Sequence, residues 1–205
     1  MKEILKEDEF IFKPGQHILE LGCSAGRLLR WLADYAEDSE IWGADINARH
    51  ITWCQQNLSP PFNFVTTTTS PHLPFEDNYF DLIFAGSVFT HIAELADAWL
   101  LELRRILKIN GRLYITVLDH IGIETLKEEY SQHDAWITLD EFFKRNGIST
   151  HEDYDMVVFN RSSLTSNRVA YNREFLVDKL LRWFKIKSVT NNAYGWQSGY
   201  LIEKV

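Results

Sequence analysis

A glycine-punctuated turn near the N-terminus carries the clearest chemical signal in the sequence. An apolar run at residues 18–21 leads into the turn at residues 22–26, and apolar residues at helical spacing begin after Arg27. Gly22 allows the chain to turn sharply, and Gly26 allows a ligand or the first helical turn to approach the backbone. Because unpaired backbone N–H groups collect where a helix begins, we expect an anionic or strongly polar group to bind at this turn.

A carboxylate stands at the expected end of a second strand. Residues 41–45 form an apolar run that closes on Asp45, 19 residues after Gly26. At this spacing a carboxylate can accept two hydrogen bonds from the vicinal hydroxyl groups of a ribose. Asn47 is placed to cap the helix predicted for residues 48–58, which leaves Asp45 for a ligand. The spacing therefore indicates a nucleoside-containing cofactor, and by itself it suits several of them.

The elements that must position these residues alternate between strands and helices. Apolar runs predict five further strands, at residues 63–67, 80–86, 112–118, 185–190 and 199–204. Residues 68–79 are too few for a crossover helix, so we expect a loop there. Thr90 is expected to cap the helix after the fourth strand, and Asn110 with Gly111 to end it.

Three motifs lie along this framework. They are E-x-G-x-x-x-G at residues 20–26, D-x-x-F-D-L-I at residues 77–83 and LRRILKINGRLYITV at residues 103–117. Together they resemble the motifs of class I S-adenosylmethionine (SAM)-dependent methyltransferases. The resemblance implies an α/β fold, a Rossmann-like, doubly wound sheet of seven strands with an antiparallel last strand and helices on both faces. It also implies SAM as the cofactor and S-adenosylhomocysteine as its product.

The resemblance implies a set of cofactor-binding residues. The turn is expected to wrap the methionine part of SAM, Glu20 to help hold its ammonium group and Asp45 to bind the ribose. The full expected set is Glu20, Gly22, Cys23, Ser24, Gly26, Asp45, Ile46, Thr69, Ser70, Gly86 and Ser87. The family usually carries an acid near the position of Thr69. Its absence here leaves adenine to Ser70, His72 or backbone groups, or to packing alone.

Two histidines are candidates for the catalytic step. Methyl transfer from a sulfonium is an in-line displacement, so the protein must align the acceptor, exclude water and accept a proton where the nucleophile carries one. His91 follows the fourth strand and suits a base or an acceptor-orienting group, although a histidine bonded to a nearby carbonyl is an equal alternative. His120 is the second candidate. The seven histidines lack metal-ligand spacing, so no metal is expected.

Composition limits the class of protein. The 205 residues suit a single domain, with an N-terminal arm at residues 1–16 and an insert at residues 119–170 that is expected to contribute to acceptor binding. A net charge of −8 argues against general nucleic-acid binding. No apolar run is long enough to span a membrane, and two cysteines without close partners favour the cytoplasm.

The leading hypothesis is a SAM-dependent methyltransferase that acts on a small molecule or a peptide end, with oxygen as the first choice of acceptor atom and nitrogen as the second. A non-catalytic module that keeps the SAM turn and binds a protein partner through residues 119–170 is the alternative. A NAD-linked oxidoreductase would need glycine in place of Ser24. The oligomeric state is left open by the sequence.

Overall fold

Strands and helices alternate along the chain. The computed structural model describes residues 1–159 and 167–205. Its α-helices are α1 (Lys2–Glu7), α2 (Ala48–Asn57), α3 (Ala96–Ile106), α4 (His120–Glu129), α5 (Asp134–Asn146) and α6 (Arg173–Leu181). Two 3₁₀ helices lie at Leu29–Tyr35 and His151–Asp153. The strands are β1 (His17–Leu21), β2 (Glu40–Asp45), β3 (Asn63–Thr66), β4 (Phe80–Ala85), β5 (Leu107–Asp119), β6 (Met156–Phe159), β7 (Arg168–Tyr171), β8 (Phe184–Tyr194) and β9 (Gln197–Lys204).

Seven of these strands form the predicted sheet. Their order is β3-β2-β1-β4-β5-β9-β8, in which β9 pairs with both β5 and β8. The first five strands pair in parallel, whereas β9 is antiparallel to both of its neighbours. The predicted fold class, including the antiparallel last strand, is confirmed.

The core lies on both faces of the sheet because successive side chains of a strand point to opposite faces. Leu19 and Leu21 of β1 pack in the cluster that contains the apolar side of α3. Ile18 packs in a second cluster with the first 3₁₀ helix and α2. A strand that is buried on both faces consists of a continuous run of apolar residues, which explains why β1 and β4 could be located from the sequence.

Three predicted boundaries were wrong. The helix after the glycine turn is a 3₁₀ helix that begins at Leu29 and not an α-helix from Arg27. Thr90 caps no helix, because its hydroxyl bonds the carbonyl oxygen of Ser87 at 3.0 Å, and α3 begins only at Ala96. The helix also ends at Ile106, before Asn110 takes up its positive φ of 62° within β5.

The insert at residues 119–170 adds structure to one end of the sheet. The β6–β7 hairpin is antiparallel, and β7 pairs in parallel with the last two residues of β5. Helices α4 and α5 pack against this hairpin through a separate cluster that includes Leu126, Leu139 and Val157. The sequence predicts an extra strand over residues 155–160, and β6 lies there, although residue 160 is outside the described residues.

Candidate active site

The carboxyl ends of β1 to β4 open into one cavity of about 470 Å³. Its wall near β1 and β2 contains Gly22, Ser24, Asp45, Ile46 and His50, and its wall near β3 contains residues 67–69. The remainder of the wall comes from residues 86–88 and 91–95 of the segment after β4, together with Trp99 of α3, Leu21, Asn47 and Asn167. Parallel α/β sheets bind their ligands at this edge, so the cavity is the candidate site.

Backbone conformation shapes the glycine turn. Gly22 has a φ of 74°, and a β-carbon there would lie 2.4 Å from Cγ2 of Val88, so only glycine fits. Gly26 also has a positive φ, but a β-carbon there would meet the side chain of Leu58 at 2.6 Å. Gly26 therefore allows α2 to pack closely on the turn, and it does not line the cavity.

The expected cofactor-binding residues divide into two groups. Those that line the cavity are Gly22, Ser24, Asp45, Ile46, Thr69, Gly86 and Ser87. Glu20, Cys23, Gly26 and Ser70 lie outside this lining. Cys23 is buried behind the turn, where burial raises the pKa of its thiol. It supports the turn from behind.

Glu20 is a buried carboxyl group with an unused oxygen. The side chain is 2% exposed, and its Oε2 atom has no hydrogen-bond partner among the described residues. Burial raises the pKa of Glu20 to about 8, against the opposing effects of the backbone N–H of Leu29 and the positive charge of Arg27. A cation bound beside this carboxyl group would favour its ionised form.

Asp45 holds the turn and faces the cavity. Its Oδ2 accepts a hydrogen bond from the backbone N–H of Ser24 at 2.8 Å, and its Oδ1 accepts one from the backbone N–H of Asn47 at 2.7 Å. Each carboxylate oxygen can accept about two hydrogen bonds, so both oxygens keep capacity for a ligand. His50 lies beside this group, with its Nδ1 3.1 Å from the hydroxyl of Ser24.

A buried polar network positions the start of the segment after β4. Ser87 has a φ of 59°, a left-handed conformation that is unusual for a residue other than glycine. Its backbone N–H donates to Oγ1 of Thr116 at 2.7 Å, and its hydroxyl accepts a hydrogen bond from Nε2 of Gln197 at 2.8 Å. The hydroxyl of Thr116 in turn donates to Oε1 of Gln197 at 2.7 Å. These contacts connect the cavity wall to the middle of the sheet.

His91 lines the cavity with a defined tautomer. Its Nδ1 lies 2.7 Å from the carbonyl oxygen of Asn167. A carbonyl oxygen can only accept, so Nδ1 carries the proton and the neutral ring keeps its lone pair on Nε2. The carbonyl contact and a catalytic role, which the sequence presents as alternatives, are therefore compatible.

His120 lies elsewhere. It begins α4, outside the lining of the cavity, and its ring stacks on His151 with centroids 4.3 Å apart. Burial is the main reason that its pKa is lowered, and the neighbouring His151 adds to the effect. The ring of His120 therefore packs against His151 and does not face the cavity.

Several residues of the site were not predicted, among them His50, Thr67 and Gln197. His50 follows Asn47 by three positions, one helical turn, and this spacing is a signal that could have located it beside Asp45. Thr67 ends the third predicted strand and could have been included with Thr69 on the same grounds. Gln197 carries no local signal, because its contact with Ser87 joins residues 110 positions apart.

Comparison with known proteins identifies a domain. A family model described as a methyltransferase domain matches residues 19–115, which contain most of β1 and all of β2, β3, β4, α2 and α3. This region of the chain is similar to class I methyltransferase domains. The recognition made on the sequence motifs is confirmed, and SAM is the cofactor of this family.

Curated relatives of this methyltransferase match over the same region. The ubiquinone/menaquinone biosynthesis C-methyltransferase UbiE of Paraburkholderia phymatum is 30% identical over 122 residues, which cover 58% of this chain and 49% of the relative. The demethylmenaquinone methyltransferase of Symbiobacterium thermophilum is 33% identical over 106 residues, 49% of this chain and 42% of the relative. The chain spans about half the length of these relatives.

A solved structure shares the whole fold. A SAM-dependent methyltransferase from Methanosarcina mazei superposes with a TM-score of 0.69 at 16% identity, covering 98% of this chain and 97% of that one. At this identity the likeness concerns the fold. It extends through the region after β5, which the family model does not match.

Asp45 on the cavity wall and Glu20 behind it fit SAM. The unpartnered oxygen of Glu20 suits an ammonium group, and the free capacity of Asp45 suits a diol. Among residues 1–159 and 167–205, no group of three or more His, Cys, Asp or Glu residues could hold a metal ion. Within the same ranges, each helix is too short or too polar to cross a bilayer.

Proposed function

We propose that this methyltransferase transfers the methyl group of SAM to a small, largely apolar acceptor, and that the nucleophile is a ring carbon next to a phenolic hydroxyl group. The observation that carries the proposal is the wall of the cavity beyond Gly86. It consists mainly of Val88, Ile92, Ala93, Leu95 and Trp99, with the imidazole of His91 and the carboxylate of Glu94 among them. Such a wall suits a flat apolar molecule with one polar group.

The choice of carbon comes from the relatives. The names of UbiE and of the demethylmenaquinone enzyme describe methylation in quinone biosynthesis, and UbiE is named a C-methyltransferase. On sequence grounds alone, oxygen is the first choice of acceptor atom and nitrogen the second. Carbon replaces oxygen as the first choice here, and oxygen becomes the second in place of nitrogen, because removal of a phenolic proton activates both the oxygen and the adjacent ring carbon.

The residues of the chain have distinct roles in this proposal. When bound, SAM supplies a methyl group that is already activated on a sulfonium. Asp45 and Glu20 orient its ribose and ammonium groups. Nε2 of His91 accepts the phenolic proton, which places negative charge on the adjacent ring carbon. After that carbon takes the methyl group, it releases its own proton and the phenol is restored. The apolar wall removes part of the acceptor's surface from water.

Cavity shape supports an enzyme over a non-catalytic binding module. A module that only keeps the SAM turn has no need for space beyond Gly86. Here the cavity continues past Gly86 as far as Leu95 and Trp99. An acceptor therefore has room beside the cofactor.

Calorimetry with SAM and S-adenosylhomocysteine tests the cofactor half of the proposal. We expect both to bind, and Asp45→Ala to weaken both by about tenfold or more, since a hydrogen bond to a charged group contributes about 1.5–3 kcal/mol. Asp34→Ala, which removes an exposed carboxylate outside the cavity, is the matched control and should change neither affinity. Absence of binding by both nucleosides would contradict the proposal.

Product analysis tests the acceptor half. The protein is incubated with SAM and a substituted hydroquinone, and the methylated product is analysed by mass spectrometry and NMR. We expect a new carbon–methyl bond. A product methylated only on oxygen would overturn the choice of carbon, while methyl transfer itself would still stand.

A further inference from the structure

One end of the cofactor cavity presents hydroxyl groups where a purine should lie. The cavity follows the strand ends in the order β3, β2, β1, β4. If the ribose binds Asp45 at the end of β2 and the methyl group faces His91 beyond β4, the base extends toward the end of β3. This placement rests on the proposed function. The residues there are Thr67, Thr68 and Thr69.

The hydroxyl of Thr67 has no partner. The residue is 8% exposed, lines the cavity, and its Oγ1 makes no hydrogen bond within the described ranges. An unpaired buried hydroxyl is unfavourable, and buried polar groups are normally bonded. A ligand group at the end of β3 would satisfy it.

Two backbone donors nearby are already engaged. The N–H of Thr67 donates to the carbonyl oxygen of Asp45 at 2.9 Å. The N–H of Ser70 donates to Oγ1 of Thr68 at 3.1 Å. Residues 67–72 also contain no Asp or Glu. The carboxylate that lines the cavity besides Asp45 is that of Glu94, which belongs to the segment after β4. The hydroxyl groups of Thr67 and Thr69 are therefore side-chain polar groups available to a base at this end.

A hydroxyl group does not impose a hydrogen-bonding polarity. It can donate or accept, whereas an ionised carboxylate can only accept. Adenine presents a donor at its 6-position and an acceptor at N1, and hypoxanthine presents the reverse. Threonine hydroxyls can rotate to match either edge. We propose that this pocket binds 6-oxopurine nucleosides nearly as well as 6-aminopurine nucleosides, with Thr67 and Thr69 as the residues that set this tolerance.

A comparison of the affinities of two nucleosides for the full chain tests the proposal. The dissociation constants of S-adenosylhomocysteine and of its deaminated form, S-inosylhomocysteine, are measured by calorimetry in the same buffer. We expect them to agree within about fivefold, because each base makes the same number of hydrogen bonds. A preference for the adenine compound of more than about thirtyfold would overturn the inference.

A single substitution should create the missing selectivity. In Thr69→Asp, a carboxylate replaces an exposed hydroxyl on the cavity wall, so we expect S-inosylhomocysteine to be weakened about tenfold or more relative to S-adenosylhomocysteine. Thr66→Asp adds the same charge at an exposed neighbour outside the lining and should leave the ratio unchanged. Equal ratios in Thr69→Asp and Thr66→Asp would argue that the base does not lie at this end.

The isosteric variant Thr67→Val provides a second, independent test of the proposal. It should weaken both nucleosides to the same extent, about three- to tenfold, because the lost hydroxyl serves either base. A selective loss of one nucleoside would contradict the inference. Failure of S-adenosylhomocysteine to bind the unmodified protein would instead reject the proposed function, so the two failures are distinguishable.

Discussion

Glu20 shows how a single buried group can be arranged for a ligand. Its carboxyl group lies under the glycine turn, almost fully buried, with one oxygen unpaired among the described residues. Burial without a cation raises the pKa to about 8, so the ligand-free protein holds the neutral acid through much of the neutral range. The ionised form, which would attract an ammonium group, is favoured only once that group is bound.

The raised pKa of Glu20 makes stability depend on pH. Because the folded value of about 8 exceeds the ordinary value of 4.5, this group's contribution to the free energy of unfolding is complete below pH 4.5 and is lost as pH rises toward 8. The free energy of unfolding of Glu20→Gln should not fall with pH in this way. Relative to the parent chain, it should therefore rise between pH 4.5 and 8 by a few kcal/mol, on the order of 1.4 kcal/mol per unit of pKa shift.

Urea unfolding at pH 5, 6.5 and 8, without ligand, checks this prediction for Glu20. The exposed Glu37→Gln serves as the control and should follow the parent chain at every pH. Parallel pH profiles for Glu20→Gln and the parent chain would show that Glu20 is not held neutral.

His91 is the residue on which the proposed proton transfer depends. His91→Gln should lower the rate of methyl transfer by about 10²- to 10⁴-fold, the usual contribution of a general base, and leave binding of S-adenosylhomocysteine unchanged. His17→Gln is the matched control. Its Nδ1 also faces a backbone carbonyl, that of Tyr79, but at the opposite end of β1. Equal rates for the two variants would remove His91 from the chemistry.

At the scale of elements, strands with apolar runs were predictable and segments held by side chains were not. The ends of β2 and β4 were predicted to within a residue or two, because strands that are buried on both faces consist of consecutive apolar residues. Residues 90–95 were misread as the start of a helix. Threonine is a common helix cap, but the hydroxyl of Thr90 donates to the carbonyl oxygen of Ser87 instead. No sequence pattern predicts this contact.

The site followed the same rule. Asp45 could be predicted as a cavity residue, since its position depends on where one strand ends and one helix begins. The support of Ser87 by Thr116 and Gln197 could not, because it requires β9 to lie beside β5. The β6–β7 hairpin was equally hidden in part, since β7 is positioned by two residues of β5 that a linear pattern does not connect to it.

At the scale of the molecule, one buried ion pair joins the end of β5 to the start of α6. The carboxylate of Asp119, at the end of β5, is fully buried and bonds Nε of Arg173 at 2.8 Å. It also accepts hydrogen bonds from Ser198 and Tyr200 of β9 and from the backbone of Gly122 in α4. Four elements therefore meet at this one group.

Removal of one partner of this pair should be costly. Arg173→Met leaves Asp119 buried without its cation, and we expect the free energy of unfolding to fall by about 3–5 kcal/mol, as measured by urea denaturation. Lys144→Met breaks the exposed Lys144–Asp140 pair and should change it by less than about 0.5 kcal/mol. Similar losses in the two variants would show that the buried pair is not the joint between these elements.

The position of β9 between β5 and β8 has a consequence for the order in which the protein folds during synthesis. During translation, β1 to β5 leave the ribosome first, yet the edge of β5 keeps its hydrogen-bonding groups open until residues 197–204 emerge and insert beside it. The nascent chain thus carries an unfinished sheet from the synthesis of β5 until that of β9. Binding of the cofactor must follow completion of that sheet, because Gln197, which holds the wall of the cavity at Ser87, belongs to β9 itself.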